Sequence, residues 1–266
     1  MEIFWRLILG HLIADFTLQT NYIAAWKRES KWGLLVHCAI HPIIYSILLW
    51  NYVGQVWIQV GSLELTGCLC IFLVFITHLI EDEWRIWSVL KQGSPDNTFF
   101  YVWDQVIHYA VLFAFSPVVD GMMGKFGLLY YPPLYGVVSY SEVLDLNLWE
   151  RFLTLSRNET WVFVGILFAL VTHFATVTIY FLEKDLLGKN FPSVKEKYIS
   201  MLERGVVMVC FLLPGFWWIS VVLLWISRSI LYRIYRWGDF SWIHIFLGNG
   251  IAILCGIIVR HLVYGN

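Results

Sequence analysis

Charge is scarce in this chain of 266 residues: Asp, Glu, Lys and Arg make up only 14% of it, against about a quarter of an average soluble domain. That deficit excludes an ordinary soluble globular protein. Neither sign predominates, because the net charge is −1, so the basic excess that nucleic-acid binding usually needs is missing. Cysteine motifs are missing too. Cys38, Cys68, Cys70, Cys210 and Cys255 lie in apolar runs, and Cys68/Cys70 lack the two-residue gap of zinc and redox motifs. Buried, reduced thiols are the expected state. The chain has no phosphate-cradling loop, no Gly-x-Ser-x-Gly elbow and no haem-attachment motif. Its first apolar stretch carries Arg6, His11 and Asp15 without a small-residue cleavage site. A retained span is therefore expected there, not a signal peptide.

What the sequence does contain is apolar surface. Hydrophobic residues reach 59%, with 15 tryptophans and 14 tyrosines to anchor two membrane–water interfaces. The expected fold is all-α, a polytopic transmembrane helix bundle of about seven spans. The spans are expected at residues 3–25, 33–57, 64–90, 98–118, 160–182, 204–227 and 241–263. Residues 119–159, with Gly121, Pro132, Pro133 and an acidic run, read as an extramembrane loop with a short amphipathic helix near Leu146–Leu155. It separates a four-helix unit, residues 1–118, from a three-helix unit, residues 160–266. Basic residues cluster at Lys27–Lys31, at Arg85 and Lys91, and from Lys184 to Arg204. The positive-inside rule then puts the N-terminus outside and the C-terminus in the cytoplasm. Arg228, Arg233 and Arg236 dissent, which points to an interfacial helix or a miscount by one in the C-terminal half.

The polar residues inside the first four spans are patterned. His11/Asp15, His37/His41, His78/Asp82 and Asp104/His108 are four pairs of metal-ligand types, each four residues apart. Such a step puts both side chains on one helix face. Counted from the basic loops, the pairs lie roughly 10–24 Å from the cytoplasmic helix ends. One pair alone is explained by a histidine bonded to a carboxylate of its own helix. Four pairs at matched depth read as a buried metal centre. Imidazole with carboxylate suits zinc, manganese or iron, and eight ligands suffice for two ions. Without a cysteine in the set, copper(I) and iron–sulfur chemistry are disfavoured.

Gln19, Tyr45 and Gln105 are candidates for orienting those ligands. Lys27 reads as ordinary loop charge, Glu81 and Glu83 as solvated charges at the membrane edge, and Glu203/Arg204 as a charge pair. His173, His244 and His261 lack a ligand-type residue four positions away and are expected in interfacial or packing roles. The Asn158-Glu159-Thr160 sequon abuts a span and is discounted.

The run Gly10-His11-Leu12-Ile13-Ala14-Asp15-Phe16-Thr17-Leu18-Gln19, followed by Lys27, His37/His41 and Asp104-Gln105-Val106-Ile107-His108, resembles the signature of an uncharacterised family of bacterial membrane proteins. The resemblance covers about the first 115 residues. More distantly, the arrangement is similar to bacterial inner-membrane metal-dependent hydrolases regulated by the DNA-damage response. It implies a multi-pass protein of the bacterial inner membrane and metal-dependent hydrolysis.

Three functions fit. The first is a metal-dependent hydrolase, with zinc or manganese, acting on a lipid-type or phosphoester substrate. Asp82 or Asp104 would bridge the metals or act as general base. The second is a non-enzymatic ion or proton transporter, or membrane-complex subunit, built on the same polar cluster. The third is a di-iron membrane oxidoreductase, for which one His-x-x-x-His is few. No nucleic-acid partner is expected, and the bilayer is the one surrounding expected of all three.

Overall fold

The computed structural model describes residues 2–117, 159–190, 194–235 and 241–264. The expected loop and its amphipathic helix fall almost wholly outside them. The chain divides into two compact units. One comprises Met1–Pro95 with Val102–Glu159, the other Asp96–Tyr101 with Thr160–Asn266.

In the first unit, α1 (Glu2–Leu12) runs into a π-helical turn at Ile13–Thr17 and stops. The Thr20 hydroxyl then accepts from the Ile23 amide at 3.2 Å and starts α2 (Asn21–Glu29). Ser30 caps α3 (Lys31–Leu48) by accepting from the Trp32 amide. The expected first span is thus broken, because the Thr20 hydroxyl caps the start of a new helix where hydropathy alone would continue the first.

The second span also ends early. After Leu48 the chain turns into an antiparallel hairpin, β1 (Val56–Val60) and β2 (Leu63–Thr66), reversed at Gly61 with φ 61°. The β-branched, alternating Val56–Val60 run favours a strand over the expected helix, which reaches only to residue 57. Thr66 caps α4 (Gly67–Leu90), and the Asn97 side chain accepts from the Phe100 amide to start α5 (Thr98–Ala114).

The apolar core of this unit gathers Ile3 and Leu7, Tyr45 and Leu49, Trp57 and Ile58, Ile71 and Val74, and Leu112. These come from the start of α1, the end of α3, the hairpin, the start of α4 and the end of α5. The core therefore lies at the hairpin end, and α2 lies at the other. Gly10 lets α1 meet α3, since a Cβ there would stand 2.6 Å from Tyr45 Cδ1 and 2.9 Å from Cε1. We predict that Gly10→Ala lowers unfolding stability in detergent by about 1–3 kcal/mol through overpacking. An unchanged melting curve would mean that the fully buried Tyr45 ring has room to retreat.

The second unit contains α6 (Thr160–Ala169), a π-helical turn at Leu170–Phe174, α7 (Ala175–Leu187), α8 (Val194–Cys210), α9 (Trp217–Ile234) and α10 (Trp242–Tyr264). Gly188, at φ 64°, closes α7. The expected span at 204–227 is two helices, broken by a turn containing Pro214 and Gly215, the latter at φ 59°. That turn is satisfied from α10. Arg260 donates to the carbonyls of Phe211, Leu213 and Gly215 at 2.8, 2.9 and 3.0 Å, and the Tyr264 hydroxyl donates to Leu212. Among its described residues this unit thus has four helical rods where three spans were expected, counting α6 and α7 as one.

Among the described residues, Lys31–Leu48, Thr160–Leu187, Trp217–Ile234 and Trp242–Tyr264 are long and apolar enough to cross a membrane. By that measure the chain has the character of a membrane protein.

Candidate metal centre

All eight predicted ligands converge in the first unit, and none is more than 8% exposed. The π-helical turn carries Asp15 toward α3, where Asp15 Oδ1 lies 3.1 Å from His37 Nε2 and 3.4 Å from His41 Nε2. His78, from α4, brings its Nε2 to 3.7 Å from the same oxygen. Asp15, His37, His41 and His78 each offer one ligand atom, all within 4.8 Å of one another. The His41 and His78 rings are 3.9 Å apart, and His78 stacks on His108 at 4.3 Å. A second group meets the same 4.8 Å limit and joins Asp82 of α4 to Asp104 and His108 of α5. The two groups are adjacent, with His78 Nε2 3.8 Å from Asp82 Oδ2.

His11 stands slightly apart. Its Nε2 lies 3.3 Å from the Gln105 side-chain oxygen and 3.6 Å from Asp15 Oδ2, and it belongs to neither group.

The nitrogens of this cluster are poorly satisfied. Nε2 of His41, His78 and His108 is buried without an aligned hydrogen bond among the described residues. Buried polar atoms are normally paired, so three such nitrogens near carboxylates fit a cation-binding set. A mixed imidazole–carboxylate donor set is also what zinc, manganese and iron accept.

Several residues around the cluster carry roles that sequence reading missed. Lys27, taken for loop charge, reaches in from α2 and places Nζ 3.0 Å from Asp82 Oδ2 and 3.2 Å from His37 Nε2. Burial works against its ammonium, but the Asp82 and Asp15 carboxylates outweigh it and hold the Lys27 pKa above its ordinary value. Arg85 donates to Asp104 Oδ2 at 3.1 Å. Glu81, read as a solvated edge charge, comes within 2.6 Å of His108 Nδ1, whereas Glu83 pairs with Lys31 at the exposed surface.

Gln105 does connect the site. Its amide lies 3.2 Å from Asp104 Oδ2 and 3.5 Å from Asp15 Oδ2. Tyr45 is fully buried with its ring 6.0 Å from His41, and the Gln19 side-chain oxygen is buried with no hydrogen bond among the described residues. Cys38 was read as a bland thiol. It is fully buried and forms a third compact set with His78 and Asp82, so the donor set is not free of sulfur.

No curated protein and no solved structure matches the chain. Residues 3–125, which hold every member of this cluster, match the family model described as "Protein of unknown function (DUF3307)".

Proposed function

We propose that the chain is an integral membrane metal-dependent hydrolase acting on a lipid-type or phosphoester substrate, with zinc or manganese in the histidine–aspartate cluster. The observation that carries this reading is the convergence of eight buried ligand-type residues from four helices. Asp15, His37, His41 and His78 would hold one ion, and Asp82, Asp104 and His108 a second. A bound divalent ion supplies Lewis acidity and brings the pKa of its water toward neutrality.

The residues around it have roles of their own. Gln105 fixes the orientation of Asp15 and Asp104, and Glu81 fixes that of His108, as second-shell partners do. Asp82 or Asp104 takes the proton of the attacking water. Lys27 and Arg85 bring positive charge to the rim of the cluster, where a phosphoryl oxygen would be stabilised.

The lipid reading rests on the surroundings. We infer that α1, α4, α5 and α8 also cross the bilayer, since their shortfall comes from charged residues and from modest length. Because 204–227 is two helices, the seven expected crossings become eight. Arg228 and Arg233 then lie at the same end of the second unit as Lys184 and Lys197, which satisfies the positive-inside rule and puts the C-terminus outside. The first unit's cluster lies toward Lys27, Lys31 and Arg85, hence toward the inner face of a bacterial cytoplasmic membrane.

The test is release of product from lipid-type phosphoesters by detergent-purified protein, beside Asp82→Asn and Asp104→Asn. Metal-dependent turnover that falls by roughly 100-fold or more in at least one variant is expected, since general base and ligand are lost together. A second reading, an ion or proton pathway, is favoured by the Lys27–Asp82 and Arg85–Asp104 pairs, which neutralise two carboxylates without a metal. Flux in liposomes without hydrolysis would select it.

A further inference from the structure

The second unit contains a polar site of its own. Arg204 of α8 is 3% exposed, and it has no ion-pair partner among the described residues. Its Nε donates to the Val171 carbonyl at 2.8 Å and its Nη2 to the Thr172 carbonyl at 3.0 Å and to the Thr176 hydroxyl. Val171 and Thr172 lie in the π-helical turn, where the ordinary helical pairing of carbonyls is interrupted. Nη1 is left over. It is buried and makes no hydrogen bond among the described residues.

Nη1 passes beside Gly248 of α10, where a Cβ would stand 3.6 Å from it and 3.3 Å from Arg204 Cδ. The space between α8, α9 and α10 is a small pocket of about 20 Å³ lined by Arg204, Ser200, Ser229, Tyr232, His244 and Asn249, among others. Ser200 and His244 lie 2.9 Å apart, and Asn249 makes no side-chain hydrogen bond among the described residues. Glu203 also lines the pocket, and its nearest cation is Arg228 at 4.0 Å. A buried guanidinium with two spare N–H groups, acted on only from a distance by the Glu203 carboxylate, is costly unless an anion completes it.

The location narrows the anion. Ser229 and Tyr232 are in the last turns of α9, His244 and Gly248 in the first turns of α10, and Ser200 in the first half of α8. The pocket therefore lies near the end of the unit that carries Lys184, Lys197, Arg228 and Arg233. Basic pockets between transmembrane helices at such an end suit lipid headgroups.

We propose that this pocket binds a phosphate group, with Arg204 as its cation and Asn249 and the Ser229 hydroxyl as further partners. It is independent of the histidine–aspartate cluster and of the hydrolase reading. A phosphate offers more acceptor oxygens than a carboxylate to donors arriving from three helices. Its source is a phospholipid headgroup or a soluble phosphate.

The test uses the intact chain in detergent and two probes, phosphatidylglycerol followed by native mass spectrometry and inorganic phosphate followed by calorimetry. Asn249→Leu fills the pocket without removing an internal bond, and Arg204→Gln removes the charge. Thermal melts of both report folding, because Arg204 also ties down the π-helical turn. The expected result is that Asn249→Leu, melting like the wild type, holds at least tenfold less of one probe. Loss of the phosphatidylglycerol adduct assigns a lipid headgroup, and loss of inorganic phosphate binding assigns a soluble phosphate. Equal binding of both probes by wild type and a folded Asn249→Leu, or by neither, overturns the proposal.

Discussion

Detergent-purified protein is expected to carry about one to two equivalents of zinc or manganese, matching three or four protein ligands per ion. The His37→Ala/His41→Ala variant is expected to retain less than a tenth of the ion held by the Asp15–His37–His41–His78 group. Loss of one outer-shell partner alone typically costs metal sites roughly 10–100-fold. Here two of three imidazoles in the Asp15–His37–His41–His78 group are removed. The remaining Asp82, Asp104 and His108 still offer one weak site, so the residual metal should exchange freely with chelator. Elemental analysis by mass spectrometry reads both quantities. Iron in place of zinc or manganese would move the assignment to an oxidoreductase. Metal-free wild type that also takes up none on reconstitution would remove the metal reading and leave the ion pathway.

Lys27→Met should produce the second large effect, and its size should depend on metal. The ammonium at 3.0 Å is the nearest positive charge to a buried Asp82. Removing one member of a buried ion pair typically costs about 3–5 kcal/mol, because the other is stranded. In chelator-treated protein the variant should therefore unfold far earlier than the wild type. A divalent ion held by Asp82 would replace the missing charge, so zinc or manganese should restore most of the loss. Chemical unfolding with and without chelator measures both parts. A variant as stable as wild type after chelation would mean that Asp82 does not depend on Lys27. A loss that metal fails to restore would separate Asp82 from any metal site.

The contrast between Lys27 and the four pairs shows how far sequence reading reached. The pairs were legible because a four-residue spacing on a helix is a geometric statement, and geometry within one helix survives folding. Lys27 and Arg85 were not, because their roles depend on how α2 and α4 lie against neighbours, which no spacing encodes. Glu81 was misplaced for a related reason. It is one residue from Asp82 and so was assigned another face, yet that face meets α5 and His108. Cys38 was within reach, being three residues before His41 and thus on the same stripe. The broken span at 204–227 was hidden by hydropathy, since Phe211–Phe216 is apolar. Its Pro214-Gly215 pair was nevertheless a strong turn signal. The hairpin was obscured likewise, because an apolar strand and the end of an apolar helix look the same in composition.

The two π-helical turns have a consequence for how this chain can change over time. Each holds one residue more than the α-helical turn that would replace it. Chain length at those points, as much as residue identity, therefore sets the facing of whatever comes before. Deleting a single residue within Ile13–Thr17 would rewind α1 by about 100°, turning Gly10 off Tyr45 and His11 away from Gln105. The same loss within Leu170–Phe174 would close the carbonyls that Arg204 reaches. Point substitution at these places can be gradual, whereas a gap is all or nothing.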